Sequence, residues 1–184
     1  MTTKAQATIE DLYKVEGKAE LVDGEIVRMS PTGYLPSYAA SEIFVSLREH
    51  ARRTKSGRAV TDSAGFRVDL PDRGSFSPDA AFYTGMPMGM KFFEGAPVFA
   101  VEVRSENDYG PKAEAEMAKK RRDYFAAGTL CVWDVDLQSP DVIKAYHIGD
   151  QSNPTIFHRD DVADAGEAVP EWSMPVDDLF PQDE

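Results

Sequence analysis

Apolar and polar residues follow each other along this chain in patterns that predict both strands and helices. The segment AELVDGEIVRM alternates around Asp23-Gly24, which predicts a two-residue hairpin turn between strands at residues 19–22 and 25–29. Apolar residues at helical spacing then predict a helix over residues 37–54 with one apolar face. This helix is expected to pack on the sheet.

The second half of the chain shows the same mixture of elements. Residues 111–127 predict a helix with proline in its first turn, acidic residues early, basic residues late and Gly128 just beyond its end. Thr8 is expected to cap a short helix that ends near Gly17. Further strands are predicted at residues 58–61, 66–70, 79–83, 97–104, 130–136, 142–148 and 154–159.

Segments 71–78 and 84–97 lack periodicity and are predicted to be loops. The second carries three methionines that suit an adaptable contact surface or pack against the core, namely Met86, Met88 and Met90. Near the acidic C-terminus, apolar residues are expected to anchor the chain on the core: Val169, Trp172, Met174, Val176, Leu179 and Phe180. The pattern predicts a single α/β domain over residues 1–184, with a mixed central sheet flanked by helices and additional antiparallel strands.

Composition narrows the setting of the protein. The chain has 184 residues, 42% of them hydrophobic, and no apolar run is long enough to cross a bilayer. Residues 1–13 lack the apolar core of a signal peptide, and Cys131 is the only cysteine, which excludes an internal disulfide. These features predict a soluble cytoplasmic protein with no membrane partner.

The distribution of charge matters more than its total. A net charge of -12 argues against a protein that coats nucleic acid non-specifically. Cations nevertheless gather at residues 48–58 and in KKRR at residues 119–122. A local basic patch for nucleic acid is therefore compatible with the acidic chain.

Two acidic residues stand at predicted core strands. Glu102 lies inside the apolar run PVFAVEVRS, and Asp79 opens the apolar part of SPDAAFY. A carboxylate in a core strand needs a partner, and two carboxylates at adjacent strand ends suit Mg²⁺ or Mn²⁺, with the Val103 carbonyl as a further ligand. The alternatives are a turn role for Asp79 and, for Glu102, an ion pair with Arg104 or with an arginine of the 37–54 helix.

Six short motifs occur along the chain in the order AELVDGEIVRMSP, SPDAAF, VEVRS, KKRRDYFAAG, VWDVD and PEWSMPVDDLF. Their order and spacing are similar to those of the Uma family of restriction-endonuclease-like proteins, within the PD-(D/E)XK superfamily. The similarity extends over nearly the whole chain. It implies a restriction-endonuclease-like fold and a DNA endonuclease that uses Mg²⁺ or Mn²⁺ to hydrolyse phosphodiester bonds.

The resemblance also implies roles for individual residues. Asp79 and Glu102 would bind the metal, and Glu20 would be an accessory acid near it, although its spacing alone suits a solvated strand end. The superfamily's usual lysine, two positions after the strand glutamate, falls here on Arg104, which would clamp phosphate or stabilise the transition state. In this family the lysine often comes from the following helix, where the position four before the tyrosine is Lys120.

Helical spacing leaves the catalytic cation open. Lys120 lies at the edge of the inward stripe of its helix and Arg121 nearer the middle, whereas Lys119 and Arg122 are expected to face away. Arg121 is thus an alternative cation for the transition state. Lys120 could instead form an ion pair with Glu116, four residues earlier.

Other residues offer weaker chemistry. Cys131 is expected to be an inert core thiol. Asp134 and Asp136 form a reserve acidic pair, and Asp136 matches a strand-ending aspartate of the family but also suits a turn cap. Tyr38 stands near the position where relatives frequently carry a histidine. None of the spacings of a zinc site is shown by His50, His147 and His158.

The leading expectation is a metal-dependent DNA endonuclease that works as a homodimer, because cutting both strands of a duplex usually takes a two-fold pair. One alternative is a catalytically inactive nuclease-fold protein that serves as an interaction or assembly module, consistent with the negative charge. Another is the same fold acting on a different substrate.

Overall fold

The computed structural model describes residues 6–86 and 89–182, which form helices and strands in mixed order. The helices are α1 (Ile9–Leu12), α2 (Tyr34–Thr54) and α3 (Pro111–Ala126), with 3-10 turns at Gly166–Ala168 and Val176–Leu179. The strands are β1 (Ala19–Val22), β2 (Glu25–Arg28), β3 (Arg58–Thr61), β4 (Phe66–Leu70), β5 (Arg73–Phe76), β6 (Ala80–Tyr83), β7 (Phe93–Glu94), β8 (Phe99–Val103), β9 (Cys131–Val135), β10 (Ile143–His147), β11 (Asp150–Phe157), β12 (Val162–Asp164) and β13 (Ser173–Pro175). Within this part of the chain, no helix has the length and apolar character needed to cross a bilayer.

The centre of the fold is a six-stranded sheet in the order β11-β10-β9-β8-β6-β3. Strands β8 and β9 are parallel, while the other neighbours are antiparallel. Helix α3 connects the two parallel strands, as parallel pairing requires a crossover. The predicted mixed central sheet, flanked by two helices and extended by antiparallel strands, is confirmed.

The two sides of β8 face different parts of the core. Because side chains alternate along a strand, Val101 and Val103 face α2, whereas Ala100 and Glu102 face α3. The C-terminal region covers the α2 side, and its apolar anchors are buried or partly buried as predicted, namely Val169, Trp172, Met174, Val176, Leu179 and Phe180. The strand that carries Glu102 is therefore covered on both sides.

A second sheet, in the order β2-β1-β5-β4-β7, packs with α3 against the same side of the central sheet. Phe66 of β4 and Phe76 of β5 join a buried cluster with Tyr124 of α3. The rings of Phe76 and Tyr124 stack with their centroids 4.0 Å apart. This packing brings β1, which carries Glu20, towards the strand that carries Glu102.

The prediction that residues 71–78 form a loop is wrong for β5. Its sequence, RGSF, has little intrinsic preference for a strand, and long-range contacts hold it instead. The Leu21 N–H donates to Ser75 Oγ at 2.9 Å, and the Arg73 guanidinium donates to Glu20 at 2.8 Å. The polar side chains of Arg73 and Ser75 in β5 thus bind β1 and hold a strand that the local sequence does not predict.

Other boundaries differ from the predicted ones by a few residues. Helix α1 ends at Leu12, before the expected end near Gly17, and α2 begins at Tyr34 instead of residue 37. In the closing antiparallel pair, β11 begins at Asp150 instead of residue 154, and β10 is shorter by one residue at each end than predicted. The acidic C-terminal region also contains the small hairpin of β12 and β13.

The predicted loop over residues 84–97 contains the short strand β7, which pairs in parallel with β4. Met86 and Met90 of this segment are exposed, as a contact surface requires. Met88 lies outside the described residues.

Candidate active site

Glu102 occupies a central place because its strand lies in the middle of the six-stranded sheet. Its Oε1 accepts a hydrogen bond from the Tyr124 hydroxyl at 2.6 Å, and its Oε2 accepts one from the Lys120 ammonium at 2.8 Å. Burial raises the pKa of Glu102, and the carboxylates of Asp79 and Glu20 raise it further, which neighbouring lysines offset only in part. The side chain is still 26% exposed, so an incoming group can reach it.

Asp79 lies close to Glu102 because β6 and β8 are neighbouring antiparallel strands. The Asp79 N–H donates to the Val101 carbonyl at 3.0 Å. Its Oδ2 accepts a hydrogen bond from the Val103 N–H at 2.8 Å. The Asp79 carboxylate is therefore bound to β8 at Val103, the residue that follows Glu102. Asp79 thus contacts a neighbouring strand and does not serve only as a local turn residue.

Glu20 is a buried residue and not a solvated strand end. Its Oε2 lies 2.8 Å from Arg73 Nη1, and its Oε1 accepts a hydrogen bond from the Ser77 N–H at 2.7 Å. Burial raises the pKa of Glu20, but the positive charges of Lys120 and Arg73 outweigh burial and hold the pKa below its ordinary value. Glu20 is thus an ionised, fully paired acid beside the site.

Lys120 reaches both glutamates from α3. Its Nζ lies 2.8 Å from Glu102 Oε2 and 2.9 Å from Glu20 Oε1. Burial lowers the pKa of Lys120, but the two carboxylates outweigh burial and leave the pKa above its ordinary value. The alternative pair of Lys120 with Glu116 is not formed, because the Lys120 ammonium contacts the two other glutamates instead. Glu116 Oε1 lies 3.7 Å from Lys112 Nζ. Lys120 lies at the edge of the inward-facing side of α3, and its long side chain nevertheless reaches the site.

Sequence reasoning missed Lys18, a second lysine at the site. Its Nζ lies 2.6 Å from Asp79 Oδ1 and 2.6 Å from Asp62 Oδ1. Burial lowers the pKa of Lys18, but the charges of Asp79 and Glu102 outweigh burial and raise it. The available signal was spacing, because Lys18 precedes Glu20 by two residues and extended chain places both on one side.

Arg104 does not join this group. Its guanidinium donates to both carboxylate oxygens of Asp134 at 2.8 Å and also donates to Glu114. The hydrogen bonds to Asp134 are the main cause of its raised pKa, and the residue is buried. The alternative pair between Arg104 and Glu102 is therefore not formed. A guanidinium already bound to two carboxylates is poorly placed to clamp phosphate.

The KKRR segment belongs to α3 and divides between the site and its surroundings. Lys120 lies in the site, while the guanidinium of Arg121 stacks 3.7 Å from the centroid of the Tyr146 ring. Lys119 contacts Asp23 at 3.6 Å, and Arg122 is exposed. The structure thus places Lys120, and not Arg121, on the glutamates.

The other basic segment, residues 48–58, lies away from the carboxylates. Ser37 and Ala40, in the first turns of α2, line the same cavity as Asp79. Most of the cations of residues 48–58 lie at or beyond the opposite end of this helix. The basic segment and the acidic site are therefore separated by much of the length of α2.

The remaining candidates lie apart from the carboxylates. Asp136 accepts a hydrogen bond from the Tyr109 hydroxyl at 2.8 Å. Tyr38 packs beside Tyr34, with ring centroids 6.2 Å apart. Cys131 is buried, and burial raises the pKa of its thiol, which fits the expected inert role.

The side chains around Glu102 fit a hard divalent cation. Among residues 6–86 and 89–182, no three His, Cys, Asp or Glu side chains already surround a point suited to a metal ion. Lysine ammonium groups instead lie between the carboxylates. With every group ionised, six carboxylates and four cations leave two negative charges, which one divalent ion would neutralise. The groups are Glu20, Asp23, Asp62, Asp79, Glu102 and Asp123, with Lys18, Arg73, Lys119 and Lys120.

A cavity of about 40 Å³ adjoins Asp62 and Asp79. The polar side chains of its lining residues carry oxygen atoms, which are carboxylates in Asp62 and Asp79 and hydroxyl groups in Thr32, Ser37, Ser41 and Thr61. A water molecule needs roughly 10–15 Å³ measured in this way, so the cavity has room for a few waters. The space suits a hydrated ion and is too small for a nucleotide base.

Comparisons with known proteins identify a family and a similar fold. A family described as "Uma2: Putative restriction endonuclease" matches residues 7–177. No curated protein matches the chain. One similar solved structure, from Anabaena variabilis ATCC 29413, is described as "a putative nuclease belonging to DUF820". It shares 18% sequence identity with a TM-score of 0.74, over 94% of this chain and 97% of that chain, and at this identity it supports the fold alone.

The family match covers most of the chain and includes every motif on which the resemblance was based except the last residues of the C-terminal one. The family resemblance seen in the motifs is therefore confirmed. This chain belongs to the Uma2 family.

Proposed function

We propose that this chain is a DNA endonuclease that uses Mg²⁺ or Mn²⁺ to hydrolyse phosphodiester bonds. The observation that carries the proposal is the position of Asp79, whose carboxylate the Val103 N–H holds beside Glu102, with Lys120 on the Glu102 carboxylate. The descriptions of the family and of the Anabaena protein, both of which name a nuclease, support the same class of reaction.

Asp79 and Glu102 are the proposed metal ligands. When bound, a divalent cation activates a water molecule and neutralises charge that develops on the phosphate. The Val103 N–H fixes one oxygen of Asp79, and the Tyr124 hydroxyl fixes one oxygen of Glu102. Each carboxylate therefore has a fixed orientation and one further oxygen that carries only a lysine contact.

Lys120 contributes a positive charge and a hydrogen-bond donor. Its raised pKa keeps the ammonium protonated, so in this arrangement it is not a base. Glu20 holds the ammonium from behind, and Arg73 in turn holds Glu20. A protonated lysine can orient the attacking water and stabilise the anionic transition state. This helix lysine takes the role that Arg104, bound to Asp134, does not fill.

Cleavage of both strands of a duplex usually takes two active sites, which a two-fold dimer supplies. A homodimer is therefore part of the proposal. Light scattering on the purified protein measures the oligomeric state directly, and a particle of one chain mass at cleavage concentrations would contradict the homodimer.

The proposal is tested by incubating supercoiled plasmid with the protein and Mg²⁺ or Mn²⁺. Wild-type protein is expected to produce nicked and linear DNA. Asp79→Asn and Glu102→Gln are each expected to slow cleavage by at least about 100-fold, because loss of an outer partner of a metal ligand alone costs 10–100-fold. The matched control is Glu116→Gln, which removes the same charge from the exposed side of α3 and is expected to cleave like wild type.

Cleavage that persists in both site variants would contradict the metal assignment. A wild-type protein that cleaves neither plasmid, single-stranded DNA nor RNA, and whose melting temperature does not respond to Mg²⁺, would favour the interaction or assembly module. Circular dichroism on each variant separates loss of activity from loss of fold.

A further inference from the structure

Two carboxylates at the margin of the site share Lys18. Its Nζ lies 2.6 Å from Oδ1 of Asp79 and 2.6 Å from Oδ1 of Asp62. The Lys18 side chain is 14% exposed, whereas that of Asp62 is 45% exposed. The Met29 N–H donates to the Lys18 carbonyl at 3.0 Å, which ties this residue to the hairpin of β1 and β2. The ammonium thus has a defined place between an inner and an outer acid.

This place conflicts with a metal ion on Asp79. The Val103 N–H binds Oδ2 of Asp79, so Oδ1 is the oxygen with room for a ligand, and Lys18 occupies it. Two cations on one carboxylate oxygen repel each other strongly in a partly buried site. The cavity lined by Asp62 and Asp79 lies next to the same contact.

We propose that Lys18 is a resident counter-ion that neutralises Asp79 until a divalent cation displaces its ammonium onto Asp62. The inference rests on the proposed metal site and adds a residue that sets the affinity of that site. Lysine suits the role because its ammonium is a compact charge on a flexible stem and is not locked into a two-pronged contact. Lys18 is a positioning residue, since it acts on the reaction through Asp79.

Metal binding in the absence of DNA tests this role directly. Mn²⁺ affinity is measured by calorimetry and by the electron paramagnetic resonance signal of free Mn²⁺. Lys18→Met removes the competitor and is expected to tighten Mn²⁺ binding by about tenfold. Lys18→Arg keeps the charge and adds a two-pronged grip on carboxylates, so it is expected to weaken binding by roughly threefold or more.

The matched control is Lys112→Met, which removes the same charge from an exposed position at the start of α3. Its Mn²⁺ affinity is expected to stay within about twofold of wild type, because salt screens exposed charges. Lys18→Gln repeats the test if Lys18→Met does not fold, as judged by circular dichroism.

If Lys18→Met binds Mn²⁺ no more tightly than wild type, Lys18 does not compete with the metal for Asp79, and the inference is overturned. Lys18 would then only hold Asp79 in position. If wild-type protein binds no Mn²⁺, this inference and the proposed function both fail. If wild type binds Mn²⁺ and cleaves DNA but Lys18→Met does not bind more tightly, only this inference fails.

A double-mutant cycle tests the transfer to Asp62. Without Asp62 the displaced ammonium has no second partner, so Asp62→Asn is expected to weaken Mn²⁺ binding more in wild type than in the Lys18→Met background. Additive effects of Asp62→Asn and Lys18→Met would overturn the transfer of the ammonium.

Discussion

Glu102 and Arg104 lie two residues apart at the end of β8, yet they belong to charged clusters of different kinds. Around Glu102 and Asp79, carboxylates outnumber cations, and the cations that contact these two carboxylates are lysines, Lys120 on Glu102 and Lys18 on Asp79. Around Arg104, one guanidinium is closed between Asp134 and Glu114. With Arg121 near Asp134, this second cluster has two cations for two carboxylates.

Under the proposed function, residue type separates the cluster around Glu102, which would take up a cation, from the cluster around Arg104, which would not. Arginine presents a planar fork that matches a carboxylate at two points, so its partner is fixed. Lysine is a point charge that can move to a neighbouring oxygen. Glu102 and Asp79 therefore combine surplus negative charge around them with lysine partners that can exchange, whereas the Arg104 cluster has balanced charges and an arginine with fixed partners.

The largest expected effect comes from removing Arg104 from its ion pairs with Asp134 and Glu114. Arg104→Met leaves the buried carboxylate of Asp134 without its main partner and is expected to cost about 3–5 kcal/mol in the free energy of unfolding. Urea denaturation measures the loss. The double variant Arg104→Met with Asp134→Leu removes both charges and is expected to recover most of it.

An Arg104→Met protein of unchanged stability but reduced cleavage would reverse the assignment. It would mean that Arg104 acts on phosphate, as the superfamily's position for lysine suggested, and that its contacts with Asp134 are incidental.

A smaller effect of opposite sign is expected at Glu102. Its pKa is raised in the folded protein above the ordinary value of 4.5, so the folded state binds more protons than the unfolded state. This contribution to stability is fully present below the unfolded pKa and is lost as pH rises through the folded pKa. Glu102→Gln, which cannot ionise, should therefore be more stable than wild type at pH 7 in metal-free buffer.

The gain should vanish as the pH is lowered below the ordinary glutamate value, and urea denaturation across the pH range measures it. A Glu102→Gln protein less stable than wild type at pH 7 would show that the bond from Lys120 outweighs the burial of the carboxylate together with the repulsion from Asp79 and Glu20. Glu102 would then be stabilised by its cation, as Asp134 is by Arg104.

The smallest effect is expected at Glu114, the exposed partner of Arg104. Glu114 is 53% exposed, and exposed ion pairs contribute about 0.2–1 kcal/mol. Glu114→Gln should therefore lower the free energy of unfolding by no more than that and leave plasmid cleavage unchanged. A larger loss in thermal or urea denaturation would show that Arg104 depends on its exposed partner as well as on Asp134.

Periodicity was enough to predict the central sheet, the two long helices and the core position of Glu102. It also placed Asp79 at the start of a core strand. Alternation states which side of a strand a residue occupies, but not which element packs there. Lys18 and Arg73 become part of the site only because the second sheet packs against the first, and no local pattern specifies that contact.

Arg104 also has a partner that no local pattern in the sequence specifies. The predicted strand ends at Arg104, one residue beyond the observed end of β8 at Val103. The partner of Arg104 is Asp134 on β9, a strand that follows a whole helix later. Strand pairing aligns Glu102 with Asp134, and this register brings an acid within reach of the guanidinium. The sequence alone could not rank that partner above phosphate.

Helix α2 runs from the cavity beside Asp79 towards the basic segment at residues 48–58. Its 21 residues correspond to a length of about 31 Å. At about 3.4 Å of axis for each base pair, a duplex touching both ends of the helix must cover roughly nine base pairs. Under the proposed function, a shorter duplex lying along α2 would not contact the carboxylates and the far cations at the same time.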